Sequence, residues 1–253
     1  MHDAADARAI WLAVQQPGKP VAVKTGMQQA ILWLHRMRQQ LLKFRTMQTN
    51  ALRGLLAEYG QVAGKGRASL ARSLPQMPGI LSQRLPAVLM DSLREQWAEM
   101  GRIEGRIAAI ERRLLEYRKQ DPAVQAVSEI DGVGLLSATA AVAVMGDPKA
   151  FRSGREFAAW LGMVPRQTGA GGKTRLHGIS KRGDTYLRTL LIHGATSVLT
   201  HARQAGPWVE QIKKRRPFNV VAVALANKMA RTIWAVLAHG RAYQRGYVSA
   251  RPA

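Results

Sequence analysis

The chain has 253 residues, with 38 Lys plus Arg against 16 Asp plus Glu, a formal balance of +22 at pH 7. A pI near 11.4 beside 47% hydrophobic residues describes a chain that buries a core and shows a cationic outside, so it excludes an ordinary neutral enzyme and points to a polyanion, nucleic acid first. Only 21% of residues are charged, which excludes a solvated disordered tail, and cysteine is absent, which excludes disulfides, thiolate zinc sites and a cysteine nucleophile and suits a reducing interior.

In chain order, residues 3–13 read as a short helix, stopped by Pro17, Gly18 and Pro20. A long helix follows over 27–59, its apolar stripe running through Ile31, Leu34, Met37, Leu41, Phe44, Met47, Leu52 and Leu55, with Arg36, Arg38, Lys43, Arg45 and Arg53 interleaved. The glycine break GQVAGKG at 60–66 and the prolines 75, 78 and 86 separate it from a second long helix ending near Lys119. That helix carries Leu93, Trp97, Met100, Ile103, Ile107, Ile110, Leu114 and Tyr117 in near-heptad rhythm, so the two predict an antiparallel coiled-coil arm. Asp121-Pro122 marks a domain boundary, because long stripes give way there to short apolar segments between glycines.

Beyond it, short helices are predicted at 123–129, 135–145 and 154–161, a glycine-rich irregular stretch over 162–179, and longer helices at 183–204 and 219–239. The VVAVALA run at 220–226 reads as buried helix rather than strand, because Asn227, Lys228, Met229 and Arg231 continue the pattern. No secretory signal opens the chain, and no apolar run approaches the ~18 residues of a membrane span, so no membrane partner is expected.

Three stretches could carry chemistry. Gly132-Val133-Gly134 lies between two short helices, where glycines would let backbone approach a phosphate and the next helix N-terminus would aim N–H groups at it; the alternative is a plain tight turn. The segment PRQTGAGGKTRLHGISKRGD gathers Arg166, Lys173, Arg175, Lys181 and Arg182 among five glycines, with one acid at its end. Gln167 stands where a nucleotide P-loop needs glycine, so that reading is excluded. Ser180 is either the N-cap of the following helix or a hydroxyl facing phosphate. Asp3 and Asp6 share a face of the first helix and could hold a divalent metal, or simply favour the helix dipole. The tryptophans are expected mostly in the core, and the run Lys213-Lys214-Arg215-Arg216 is either a solvated face or a phosphate contact.

With these residues assembled, IDGVGLLSATAAVAVMGDPKAFRSGREFAAWLGMVPRQ followed by GGKTRLHGISKRGDTYLRTLLIHGA resembles the C-terminal domain of the IS116/IS110/IS902-type insertion-sequence transposases. Those are bridge-RNA-guided recombinases with a RuvC-like DEDD domain and a serine-bearing Tnp domain. The opening HDAADARAI is similar to their D-x-x-D helix. The resemblance implies a mainly α chain: the C-terminal tail of a RuvC-like domain over 1–25, a coiled-coil arm over 26–121, and a helical Tnp domain with a helix-hairpin-helix over 122–253. It makes Asp3 and Asp6 two of four acids that hold magnesium, the other two lying on upstream strands in the family, so an N-terminally truncated form is expected. The family's nucleophilic serine aligns with Ala170, before Gly171; Ser180 and Thr168 are the nearest remaining hydroxyls, and Ser180 stands with Asp3 and Asp6 as a catalytic candidate. The partners implied are DNA, a structured guide RNA and further copies of the chain as a dimer or tetramer, in the bacterial cytoplasm at the nucleoid. The function expected is strand exchange by a transposase that is incomplete or inactive as this chain, or else a non-catalytic nucleic-acid-binding regulator derived from one.

Overall fold

A computed structural model describes residues 3–15, 23–62, 64, 69, 86–170, 173–202 and 206–245. The predicted loop at 16–20, residues 63, 65 and 66 of the break at 60–66, and prolines 75 and 78 lie outside the described residues. In chain order the elements are α1 (Asp3–Gln15), α2 (Gly26–Glu58), α3 (Ala87–Gln120), α4 (Pro122–Ser128), α5 (Leu135–Met145), a 3-10 turn (Pro148–Ala150), α6 (Gly154–Trp160), β1 (Pro165–Ala170), β2 (Lys173–Ile179), α7 (Thr185–His201), α8 (Pro207–Lys213) and α9 (Phe218–His239). The protein is mainly α.

A capping box starts α2. The Gln28 backbone N–H donates to Thr25 Oγ1 at 3.2 Å, and the Thr25 N–H donates to Gln28 Oε1 at 3.0 Å. Just before and just inside the box, Lys24 Nζ donates to the Val144 carbonyl at 2.7 Å and Gln28 Nε2 to that of Gly146 at 3.4 Å. The free carbonyls at the end of α5 are thus satisfied by α2. Further along, Ile31 and Leu41 pack with Ile103, Ile107, Ile110 and Leu114, and Arg38 Nη2 pairs with Glu111 Oε1 at 2.7 Å. The beginning of α2 therefore lies against the end of α3, in antiparallel sense.

Of the stripe expected on α3, Met100, Ile103, Ile107, Ile110 and Leu114 are buried, joined by Met90, while Leu93, Trp97 and Tyr117 are only half-buried. On α2 the expectation needs correcting. The buried residues are Ile31, His35, Leu41, Thr49, Leu52 and Leu56, whereas Met37, Phe44 and Met47 are 40%, 43% and 58% exposed. At 100° per residue the helix carries two stripes roughly a third of a turn apart, and α3 covers only one. The polar His35 lies in the covered one because both its ring nitrogens find partners there.

Apolar packing runs across residues 121–122. Asp121 caps α4, its Oδ1 accepting from Ala123 N at 2.8 Å and Val124 N at 3.1 Å, while Ala143 of α5 belongs to the same apolar cluster as Ile31 and Leu114. The centre is α5, buried from Ser137 to Met145. Its small side chains let α2, α4 and α7 come close. One close approach is between glycines: Gly132 has φ +81°, and a Cβ there would lie 2.8 Å from the Gly194 carbonyl oxygen of α7 and 3.0 Å from Met229 Cε of α9. Both conformation and space demand glycine.

Three further expectations change. The stretch expected to be irregular over 162–179 holds an antiparallel hairpin. The 22-residue α9 is, by length and composition, apolar enough to cross a membrane, which the sequence reading missed; one face of it, from Val221 through Ile233 to Val236, is buried in the core. And Trp11, Trp33, Trp160 and Trp208 are exposed rather than in the core, Trp33 lying under Arg36 and Trp208 under Lys228.

Candidate nucleic-acid interface

The hairpin pairs Gln167 with Leu176, Thr168 with Arg175, Gly169 with Thr174 and Ala170 with Lys173, with a register irregularity between Pro165 and Gln167. Opposed residues share a face and residues two apart repeat it. Lys173 and Arg175 thus lie on the face of Thr168, whose Oγ1 shares a 2.6 Å hydrogen bond with His177 Nε2. Arg166, Lys173 and Arg175 are all exposed. A two-stranded ribbon with so little apolar cover is marginal alone, and its base is what holds it. Ser180 N donates to the Val164 carbonyl at 2.8 Å and Lys181 N to that of Gly162 at 3.0 Å.

From that base the 180–184 loop is locked to the turn after α6. Gly162, with φ +74°, faces the backbone of Arg182, and Gly183, with φ +77°, faces the Trp160 carbonyl; a Cβ at either position would collide with main chain. Lys181 itself has φ +57°, a left-handed conformation that costs a non-glycine residue about 1 kcal/mol. Arg188, only 7% exposed, sits beneath. Its Nη1 donates to the carbonyls of Leu161 and Arg182, both at 2.9 Å, and its Nη2 to Thr185 Oγ1 at 3.1 Å. Among the described residues it forms no ion pair. A buried guanidinium bonded to two carbonyls fastens the loop to the core and leaves Lys181 and Arg182 exposed.

Ser180 is not the N-cap of α7. That role belongs to Asp184, whose Oδ1 accepts from Leu187 N at 2.7 Å. Residues 180–183 are occupied with the lock, so the helix starts at Thr185. The one acid of the basic segment therefore serves the helix end and its dipole.

Gly132, Val133 and Gly134, the other phosphate-contact candidates, lie elsewhere along α7. Gly132 touches Gly194 and Val198, six to ten residues beyond Arg188, or roughly 9 to 15 Å along the axis. Val133 is buried. Gly134 precedes α5, has open space where a Cβ would be, and no side chain caps the helix there. Of the two glycines, one faces the core and one faces outward. On α1, Asp3 and Asp6 are exposed and the helix buries none of its residues. Among the described residues neither carboxylate forms a hydrogen bond, and no group of three or more His, Cys, Asp or Glu could hold a metal.

Sequence reasoning missed Arg188, Asp184 as a cap, and Lys228 over Trp208. The legible sign of Arg188 was an arginine on the inward face of α7, between the buried positions 187 and 191.

The chain is thus mainly helical and strongly basic, and it presents a cationic hairpin. Residues 124–209 match the Transposase IS116/IS110/IS902 family. A "Probable family 20 transposase" of Pseudomonas aeruginosa is 46% identical over 253 residues, covering 97% of this chain and 74% of its own length. The transposase for insertion sequence element IS1111A of Coxiella burnetii is 36% identical over 250 residues, 97% of this chain and 69% of its own. That for insertion sequence element IS1328 of Yersinia enterocolitica is 36% identical over 249 residues, 96% and 74%. The chain belongs to the IS116/IS110/IS902 family of insertion-sequence transposases. It spans about two thirds to three quarters of the length of these relatives.

Proposed function

We propose that this chain binds DNA, together with a structured guide RNA, as the nucleic-acid-holding part of an insertion-sequence transposase. The observation that carries this is the 180–184 loop, where a buried Arg188 holds the backbone that presents Lys181 and Arg182. Cations on a fixed backbone neutralise phosphates with no backbone ordering left to make at the moment of binding. Arg166, Lys173 and Arg175 extend the same surface up the hairpin. The uncapped start of α5, behind Gly134, offers backbone N–H groups to a further phosphate, with Gly132 and Val133 holding the turn.

Binding without strand exchange is the favoured reading. The resemblance puts the nucleophile at Ala170, and a methyl group cannot attack phosphorus. Ser180 and Thr168 are the nearby hydroxyls, and Thr168 is already engaged with His177. For magnesium, Asp3 and Asp6 supply two carboxylates on one exposed helix face and no third ligand joins them among the described residues. The donor set does not fit a metal by itself. A regulator derived from a transposase is the second reading, favoured by Ala170 alone. Self-association through the arm is supported by the uncovered apolar stripe of Trp33, Met37, Phe44 and Met47 on α2.

Salt titration tests the binding. The logarithm of affinity should fall linearly with log salt, by ~0.9 per duplex phosphate neutralised, and Lys181→Ala with Arg182→Ala should weaken all sequences alike. A flat salt dependence overturns the reading. Strand exchange by this chain with both DNAs, the cognate RNA and magnesium would overturn the inactivity.

A further inference from the structure

We infer that a second phosphate-tracking surface, contiguous with the 180–184 loop, runs over α6 and α9 beside α8 and takes the backbone of duplex DNA. It rests on the nucleic-acid reading above. The ridge begins where Asn227 Nδ2 donates to the Met163 carbonyl at 3.0 Å. That bond ties α9 to the turn whose neighbouring Gly162 carbonyl receives the Lys181 N–H. The next residue, Lys228, places its Nζ 4.9 Å from the centroid of the Trp208 ring. An ammonium held against an indole is fixed in position while remaining exposed. Three residues on, Arg231 lies against the start of α6, since a Cβ at Gly154 would come within 2.9 Å of the Arg231 Cα. Arg155 is therefore its neighbour, and α6 runs antiparallel to α9, from Arg231 back to Asn227.

Among the described residues Arg155, Lys228 and Arg231 form no ion pair, while the nearby acids are engaged: Glu210 pairs with Lys213 at 3.0 Å, and Glu156 accepts from the Arg152 backbone N–H at 2.6 Å. The occupant follows from the shape and chemistry. Lys228 and Arg231, three apart on a straight helix, are neighbours on one line, which suits the regular phosphate rail of a duplex. A single strand would want open aromatic faces to stack on; Lys228 covers that of Trp208, and Phe157 stacks against one face of the half-exposed Trp160. The family to which the chain belongs supplies the matching partner, DNA.

Fluorescence anisotropy on a labelled DNA duplex of arbitrary sequence, across a series of salt concentrations, tests this with three variants. Lys228→Ala/Arg231→Ala should lower the salt slope by about two, at ~0.9 per lost phosphate contact, and weaken unrelated sequences equally. The charge-keeping Lys228→Arg/Arg231→Lys should retain the parent slope, and thermal melting should place both variants at the parent stability. Lys181→Ala/Arg182→Ala reports on the first surface separately. If that variant loses slope and the Lys228/Arg231 one does not, the ridge is overturned and the loop reading stands. If neither loses slope, both fail. Loss confined to single-stranded RNA overturns the assigned occupant, and equal loss in the charge-keeping variant overturns the phosphate role.

Discussion

The two ends of α2 are held by different means. Its beginning is hooked into the core by Lys24 and Gln28 on the carbonyls of Val144 and Gly146, and by His35, which bridges Tyr186 of α7 at 2.9 Å and Thr139 of α5 at 3.0 Å. Its later half buries a single stripe against its surroundings and leaves Phe44 and Met47 to solvent. Identical helical periodicity therefore has two outcomes: near the bundle, several polar groups fix the helix in one position, and away from it a single apolar stripe is joined by Arg53, whose Nη2 donates to the Gly64 carbonyl. The same division explains the interface, where the cations of the 180–184 loop are placed by main-chain locks, while on α2 Arg36 and Lys43 are exposed surface charges and Arg38 is paired with Glu111.

The comparison can be broken most severely at the bundle. Gly194→Val should cost about 4 kcal/mol or more, because its Cβ would drive into the Gly132 carbonyl in a core that cannot relax; chemical denaturation would read it, and a cost under ~1 kcal/mol would mean the α7 contact is loose.

Next comes pH. Burial first, and then the Arg38 charge, lower the His35 pKa from 6.5 to about 4. Thr139 Oγ1 donates to the Leu135 carbonyl at 2.8 Å, so it accepts from His35 Nε2–H, and Nδ1 accepts from the Tyr186 hydroxyl. The ring is thus neutral in the fold. The unfolded chain takes up a proton below 6.5 and the folded chain resists until about 4. Stability from this site is therefore complete above pH 6.5 and falls on acidification toward 4, by on the order of 3 kcal/mol in total. A His35→Gln variant should flatten that part of the stability profile; an unchanged profile would mean another group is responsible.

Arg188→Leu should then cost roughly 2 kcal/mol, since the carbonyls of Leu161 and Arg182 lose their donor, and should weaken nucleic-acid binding beyond what that loss of stability explains. Arg188→Lys should recover part of both. Equal affinity for parent and Arg188→Leu would show that the loop keeps its shape unaided. Lys181→Gly should raise stability by up to about 1 kcal/mol by removing a left-handed strain while lowering affinity, the opposite signs separating geometry from charge. The smallest effect is expected on the arm: Phe44→Ser should change the stability of the single chain by under ~0.5 kcal/mol, as at other exposed positions, and a large drop would reveal a hidden partner for the uncovered stripe.

Much of this was legible in the residues. The middle of the α3 stripe, the helices of the C-terminal half other than α8 (Pro207–Lys213), and the cationic segment followed from periodicity and composition, because a buried helix face repeats its apolar residues whatever packs against it. The hairpin was not. Pro165 to Ile179 has no alternation to betray it, and its strands persist because residues 162–164 and 180–182 clasp its base. The N-cap was misassigned to Ser180 for a related reason: both Ser180 and Asp184 are good caps, and only the Gly162–Arg182 and Gly183–Trp160 contacts decide which one the chain can spend on α7.

The sequence by itself therefore determined the class of the fold, the family and the sign and place of the charge, since these depend on residue type and on neighbours a turn away. The tertiary structure decided which of the two stripes on α2 is buried, that Gly132 faces the core while Gly134 faces outward, and that a buried Arg188 sets the direction of Lys181 and Arg182. Those outcomes rest on contacts between residues tens to more than a hundred positions apart, and local patterns hold no record of which distant carbonyl or glycine a segment will meet.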